Sequence, residues 1–200
     1  MIYIIDHQDS FTWNVVHQFS QFDEIYCSNY FNLNKKLLNR SKTIVLSPGP
    51  GSPKDYPSTS KIYNKYKGKK KIIGICLGYQ QILYCEKANI IQQKRIYHGH
   101  QSSVTVTSNK SIFKKNSKFK VGRYHSLKLK EPFFKKNFEI TMRCSSTGIA
   151  MAFENRKDDV YGFQFHPDSF LTTNGKLLIK KIISASVSYT HLTLPTIYSV

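Results

Sequence analysis

One cysteine lies between two glycines at the end of an apolar run. Residues 72–80 are IIGICLGYQ, so Cys76 stands in a glycine-x-nucleophile-x-glycine pattern with Gly74 and Gly78. In a strand-to-helix turn of this kind the nucleophile sits at the apex, and the glycines avoid clashes with the adjacent strand and helix. The helix N-terminus stabilises a thiolate, and the amide of Leu77 can point at a developing oxyanion. The alternative is a small core cysteine beside glycines.

A cysteine nucleophile needs a base, and the stretch GFQFHPDS, residues 162–169, contains one. His166 follows an apolar strand pattern and precedes Pro167, which ends that strand and leaves the imidazole at a strand end, where active sites of α/β sheets gather. Asp168 can orient the imidazole and stabilise its protonated form, which predicts a Cys-His-Asp arrangement with Cys76. The alternative is a loop histidine beside a proline.

A third stretch, SPGPGSP at residues 47–53, predicts a rigid loop with exposed backbone amides. Gly51 can bring its amide close to a ligand. A plain turn is the alternative. No Gly-Lys-Ser/Thr follows, which argues against a phosphate-binding loop.

The elements that must position these residues follow an α/β pattern. Uninterrupted apolar runs at 2–6, 43–47 and 71–76 predict strands buried on both faces. Helices are predicted after a cap at Asp9 or Ser10, over about 57–67, and over 77–87. This alternation predicts a single-domain α/β fold with a central, mostly parallel mixed sheet flanked by helices.

The second half of the chain is richer in β-strand patterns. Short strands are predicted over 102–106, 118–129, 138–144, 148–154 and 160–165, and a final amphipathic helix over 175–183. Residues 184–200 are nearly uncharged and rich in Ser and Thr, unlike the lysine-rich chain before them. We therefore predict a domain over 1–183 and a tail of separate character over 184–200.

Composition limits the class of protein. The net charge of +18 comes mostly from scattered lysines, which favours a solvated basic surface over a nucleic-acid-binding stripe. No apolar run approaches the length of a membrane span, and we expect no secretory signal because MIYIID lacks the basic and apolar pattern of a leader. The four cysteines lack metal-ligand spacing. We expect a cytoplasmic protein that binds neither nucleic acid, membrane nor metal.

The three stretches occur in the order SPGPG, GICLG, FHPDS, and together they resemble the class I glutamine amidotransferases, the triad-type glutaminases. The resemblance covers residues 1–183. DSFTWN at 9–14, with YHG at 97–99 and GRYHSL at 122–127, is similar to the glutaminase subunits of chorismate-using synthases. Both the anthranilate synthase and the aminodeoxychorismate synthase types remain open.

The resemblance implies that the substrate is L-glutamine, that the partner is a larger chorismate-binding synthase subunit, and that this chain holds no cofactor. Cys76 would attack the side-chain amide of glutamine, with His166 as base and Asp168 as its orienting acid. The amides of Gly51 and Leu77 would form the oxyanion hole. Glutamine would be held by family-matching positions, namely Gly49, Pro50, Gly51, Gln80, Ser126 and Leu127. Residue type alone favours a solvent-facing helix residue for Gln80 and a strand-end hydroxyl for Ser126.

Two departures from the family pattern bear on activity. Tyr79 stands where the family usually has His, a change expected to alter packing rather than chemistry. Asp168 stands where the family usually has Glu, which is one methylene longer. These departures leave a catalytically weak regulatory or scaffold subunit as a second hypothesis, and the charge alone leaves a nucleic-acid-binding module as a third.

Overall fold

The computed structural model of the chain describes residues 1–185, and its centre is a mixed sheet of nine strands. Eleven strands lie within these residues: β1 (Ile2–Asp6), β2 (Ile25–Asn29), β3 (Thr43–Leu46), β4 (Lys71–Ile75), β5 (Ile90–Gln92), β6 (His100–Val106), β7 (Lys118–Arg123), β8 (Leu127–Leu129), β9 (Glu139–Cys144), β10 (Ala150–Asn155) and β11 (Val160–Phe163).

The large sheet has the order β2-β1-β3-β4-β11-β10-β9-β6-β7. The first five strands in this order are parallel, and the last four extend the sheet through antiparallel pairs. A separate antiparallel pair joins β5 to β8. The parallel part places the carboxyl ends of β3, β4 and β11 along one edge, where the three sequence motifs follow.

Five α-helices cover the two faces of the sheet within the described residues: α1 (Thr12–Phe19), α2 (Lys35–Arg40), α3 (Pro57–Tyr66), α4 (Leu77–Cys85) and α5 (Gly175–Ser184). Apolar side chains of α1 and α5 pack in one core cluster, and those of α2, α3 and α4 pack in the other. The strands between them are buried on both faces, which is why β1, β3 and β4 are nearly continuous apolar runs.

The predicted α/β fold with its mixed central sheet is confirmed, and several local predictions are corrected. Helix α1 begins after Phe11, and neither Asp9 nor Ser10 is its N-cap. The Asp9 carboxylate instead accepts a hydrogen bond from the Phe11 amide, 2.8 Å away. The predicted strand over 118–129 divides into β7 and β8, which belong to different sheets. Except for Ser184 and Ala185, the predicted tail lies outside the described residues.

His7 is a fully buried polar residue at the carboxyl end of β1. Its Nδ1 lies 3.1 Å from the carbonyl oxygen of Ser47, and its Nε2 lies 3.0 Å from the Thr59 hydroxyl. Burial disfavours the imidazolium and lowers the pKa of His7 from 6.5 to about 4. The ring is therefore neutral in the folded protein at neutral pH.

This burial predicts acid sensitivity. Between pH about 6.5 and 4 the unfolded chain binds a proton at His7 that the folded chain does not, so stability is fully present above this window and is lost as pH falls through it. The loss is on the order of 3 kcal/mol. His7→Gln should flatten the dependence of unfolding free energy on pH in urea titrations. His17→Gln, at an exposed position on α1, should leave it unchanged; equal slopes for both variants would contradict the prediction.

Candidate active site

Cys76 occupies the turn between β4 and α4 in a strained backbone conformation, with φ of +51° and ψ of −101°. The flanking glycines are needed for close approach. A Cβ at Gly74 would lie 2.5 Å from the backbone of Gly78, and a Cβ at Gly78 would lie 2.2 Å from the carbonyl oxygen of Leu46 on β3. The predicted reason for both glycines is therefore confirmed. The turn presents the thiol at the N-terminus of α4.

Neighbouring strands bring Cys76 and His166 together although 90 positions separate them in the sequence. β4 and β11 pair in parallel, and the Cys76 amide donates to the carbonyl oxygen of Phe163 at 2.8 Å. The chain then continues through Gln164 and Phe165 to His166, whose amide donates to the carbonyl oxygen of Gly122 at 3.0 Å. Both side chains therefore lie at the carboxyl edge of the parallel strands.

The imidazole of His166 is almost completely buried and held between two aromatic rings. Its ring centre lies 5.0 Å from that of Phe11 and 4.9 Å from that of Tyr124, each in an edge-on arrangement. The Thr172 hydroxyl donates to the His166 carbonyl oxygen at 2.5 Å, and Gln18 on α1 donates to the carbonyl oxygen of Pro167 at 2.9 Å. These contacts fix the position of the histidine loop against α1.

Asp168 lies beside His166, but the two groups do not form a hydrogen bond. The His166 Nδ1 and the Asp168 Oδ1 are 3.6 Å apart, and the Asp168 side chain is fully buried. Neither oxygen of this carboxylate has a hydrogen-bond partner, and neither does the His166 Nδ1. Aspartate, one methylene shorter than the usual glutamate, therefore stops short of hydrogen-bond distance from the imidazole.

The charge around His166 favours its protonated form. Burial opposes protonation, but the adjacent Cys76 and Asp168 outweigh burial and raise the pKa of His166 to about 10. The raised pKa therefore favours the imidazolium form of His166. A protonated histidine facing a cysteine is the resting arrangement of an activated thiol nucleophile.

The 47–53 loop follows β3 and packs against the turn that holds Cys76. A Cβ at Gly49 would lie 2.6 Å from Leu77 Cδ2, so the loop approaches the residue that follows Cys76. The carbonyl oxygen of Pro50 accepts from the Tyr56 hydroxyl at 2.8 Å. Gly51 is exposed and has a φ of +73°, a conformation that favours glycine. The loop thus offers backbone groups beside the turn that holds Cys76.

The remaining predicted site residues lie around the same edge. Gln80 is buried, so its interpretation as a solvent-facing helix residue is wrong. Its Nε2 lies 3.1 Å from the Gln164 Oε1 and 3.4 Å from the Leu127 carbonyl oxygen, which places Leu127 next to α4. Ser126 is half-buried on the segment that joins β7 to β8. The ring centres of Tyr79 and Phe153 lie 5.3 Å apart. Both rings belong to one core cluster, whereas Cys76 belongs to the other.

Sequence reasoning assigned no role to three residues of this site. Phe11 and Tyr124 hold the His166 ring, and Gln164 directs its side-chain amide at Cys76 Sγ, 3.8 Å away. Each lies in a stretch that the sequence singled out, DSFTWN, GRYHSL or GFQFHPDS. Membership of these motifs was the only sequence signal for the three residues. It could not reveal their contacts with His166 and Cys76, because those contacts join segments that are distant in the sequence.

Over residues 1–185, no cluster of three or more His, Cys, Asp or Glu side chains is arranged to hold a metal ion. The helices of this range are all too short or too polar to cross a membrane.

Comparison with known proteins gives one consistent family. The model of the class I glutamine amidotransferases matches residues 3–185. Anthranilate synthase component 2 of Lactococcus lactis is 35% identical, over 92% of this chain and 94% of that protein. Aminodeoxychorismate synthase component 2 of Klebsiella aerogenes is 32% identical, over 92% of this chain and all of that protein.

Solved structures agree in fold. A candidate subunit of GMP synthase from Thermoplasma acidophilum superposes with a TM-score of 0.80 at 21% identity, over 94% of both chains. A glutamine amidotransferase from Thermotoga maritima gives a TM-score of 0.66 at 16% identity, over 84% of this chain and 75% of that one. The motifs, the fold and the family match converge, and the chain belongs to the class I glutamine amidotransferases.

Proposed function

We propose that this chain is a glutaminase subunit that hydrolyses L-glutamine and delivers ammonia to a larger, chorismate-binding synthase subunit. The observation that carries the proposal is the strained Cys76 at a helix N-terminus beside the buried imidazole of His166. Relatives named as the second components of anthranilate and aminodeoxychorismate synthases, similar over nearly their whole length, support the synthase partner.

The proposed reaction uses a Cys76-His166-Asp168 triad. The Cys76 thiolate attacks the side-chain amide carbon of glutamine and forms a carbon–sulfur bond, while negative charge collects on the amide oxygen. The amides of Gly51 and Leu77 form the proposed oxyanion hole for this charge. As the carbon–nitrogen bond breaks, the imidazolium of His166 gives its proton to the departing nitrogen, which leaves as ammonia.

The thioester is then hydrolysed. Neutral His166 takes a proton from water, and the resulting hydroxide attacks the thioester carbon. Collapse of the second oxyanion releases glutamate and returns Cys76 as a thiolate beside protonated His166. Asp168 stabilises the imidazolium through its charge in both halves of the reaction. Protein groups and water supply every atom needed, so the proposal includes no cofactor.

Glutamine is proposed to lie between the 47–53 loop and the segment that precedes β8. Backbone groups of the loop and of the β7–β8 segment, with the Gln80 amide and the Ser126 hydroxyl, offer partners for the α-amino and α-carboxylate groups. These positions are Gly49, Pro50, Gly51, Gln80, Ser126 and Leu127.

A second candidate function follows from one specific observation. The 3.6 Å separation of His166 and Asp168 is longer than a hydrogen bond and leaves the orienting acid only partly engaged. A protein of this kind would have weak glutaminase activity and serve mainly to regulate or support its synthase. Glutaminase turnover of the assembled complex distinguishes this function from the first.

Removing the nucleophile tests ammonia supply. A complex that carries Cys76→Ala should lose glutamine-dependent synthesis, because no thioester can form. It should still convert chorismate when ammonium salt is supplied at high pH, since the change removes little volume and leaves docking intact. Product formation from each nitrogen source, measured on a complex shown intact by gel filtration, checks both expectations.

Two outcomes of that experiment would contradict the proposal. If Cys76→Ala retained glutamine-dependent synthesis, Cys76 would not be the nucleophile and would be a core residue only. Loss of the ammonia-dependent activity from an intact complex would mean that this chain does more than supply ammonia. Reconstitution with an anthranilate-type and with an aminodeoxychorismate-type large subunit identifies the partner, since only the correct complex makes product.

The acid of the triad can be tested in both directions. Asp168→Asn removes the charge that stabilises the imidazolium, and turnover should fall roughly 10- to 100-fold, less than for an acid that is hydrogen-bonded to its histidine. Asp168→Glu lengthens the side chain by one methylene, which allows the carboxylate to close the 3.6 Å separation from His166 Nδ1. Turnover should rise about fivefold if a hydrogen bond forms. Glutaminase kcat of the assembled complex is the measurement. Wild-type turnover in both variants would remove Asp168 from the triad.

A further inference from the structure

A buried glutamine connects the nucleophile to the proposed substrate-binding residues. Gln164 is completely buried two positions before His166. Its Nε2 lies 3.8 Å from Cys76 Sγ, within the range of a hydrogen bond to sulfur, and its Oε1 lies 3.1 Å from the Nε2 of Gln80. The side-chain amide therefore bridges the thiol and helix α4.

A backbone carbonyl determines the orientation of this amide. The Nε2 of Gln80 lies 3.4 Å from the carbonyl oxygen of Leu127, which can only accept a hydrogen bond. Gln80 must therefore turn its amino group, with two hydrogens, toward both Leu127 and Gln164. Gln164 in turn must present its oxygen to Gln80. Its amino group is left facing Cys76, so the sulfur receives an N–H donor and not a carbonyl oxygen.

An N–H donor aimed at the sulfur favours the thiolate over the thiol, because the negative charge accepts the stronger hydrogen bond. It also restricts the direction in which Sγ points. We propose that Gln164 is a positioning residue of the glutaminase, which holds Cys76 as an oriented thiolate and couples it to Gln80. This inference rests on the proposed function, and it adds a polar group that the triad and the oxyanion hole do not include.

The test uses a thiol readout that is separate from turnover. Alkylation of Cys76 by iodoacetamide is followed against pH by mass spectrometry of the Cys76 peptide, without glutamine. Gln164→Met keeps an unbranched chain of similar length but removes the donor. We expect alkylation at neutral pH to be about tenfold slower than wild type and its midpoint to rise by about one pH unit.

The matched control is Gln81→Met. Gln81 follows Gln80 on α4 and is as completely buried as Gln164. Its side-chain amide donates to the Ser60 hydroxyl at 2.7 Å, and it has no proposed role at the thiol. It should change the alkylation profile of Cys76 little. Gln80→Met should slow alkylation in the wild-type background but have no added effect in Gln164→Met, because the two amides act as one unit.

Glutaminase kinetics of the assembled complex complete the test. Gln164→Met should lower kcat about tenfold and change KM less than Gln80→Met does, since the thiol loses its donor whereas Gln80 keeps its contact with Leu127. A folded Gln164→Met variant with the wild-type alkylation profile would overturn the inference. If that variant does not fold, Gln164→Leu and Gln80→Met carry the same expectation. Wild-type protein without glutaminase activity in either complex would instead refute the proposed function, whatever the thiol profile.

Discussion

The turn between β4 and α4 is the constraint on which the rest of this site depends. Cys76 adopts a positive φ, and the strand before it and the helix after it approach so closely that only glycine fits at 74 and 78. Strain of this kind persists only where surrounding packing over-determines it. Here the packing comes from β3 on one side and β11 on the other, so the large sheet itself maintains the geometry of the thiol.

Buried polar groups transmit orientation through the same edge of the sheet. Arg123 can only donate, and its Nε lies 3.1 Å from the Nε2 of His125. Burial lowers the pKa of His125 to about 3, so its ring is neutral and its other nitrogen donates to the Leu127 carbonyl oxygen at 2.8 Å. That carbonyl oxygen also accepts a hydrogen bond from the Gln80 amide, and the orientation of Gln80 in turn sets that of Gln164. Groups with a single possible hydrogen-bond role thus define the polarity of a network that ends at Cys76.

The fold was predictable where local pattern and tertiary environment agree. Strands β1, β3 and β4 are apolar throughout because helices cover both faces of the sheet, and α3 begins at the proline that marks its first turn. By contrast, β2 is half-exposed along its length and α2 is six residues long, so neither has a strong periodic signal. Pairing with β1 and packing of Leu38 stabilise them instead.

For the site, the sequence by itself determined the candidate residues: a cysteine between glycines, a histidine at a strand end with an acid two residues on, and their order along the chain. These signals are local, because turn geometry and strand ends depend on neighbouring residues. Only the tertiary structure decided that Phe11 and Tyr124 would hold His166 and that Asp168 would stand 3.6 Å from it. It also decided that Gln164 would face the thiol. Such distances are set by which strands pair and how distant segments pack, and the composition and spacing of a motif do not specify them.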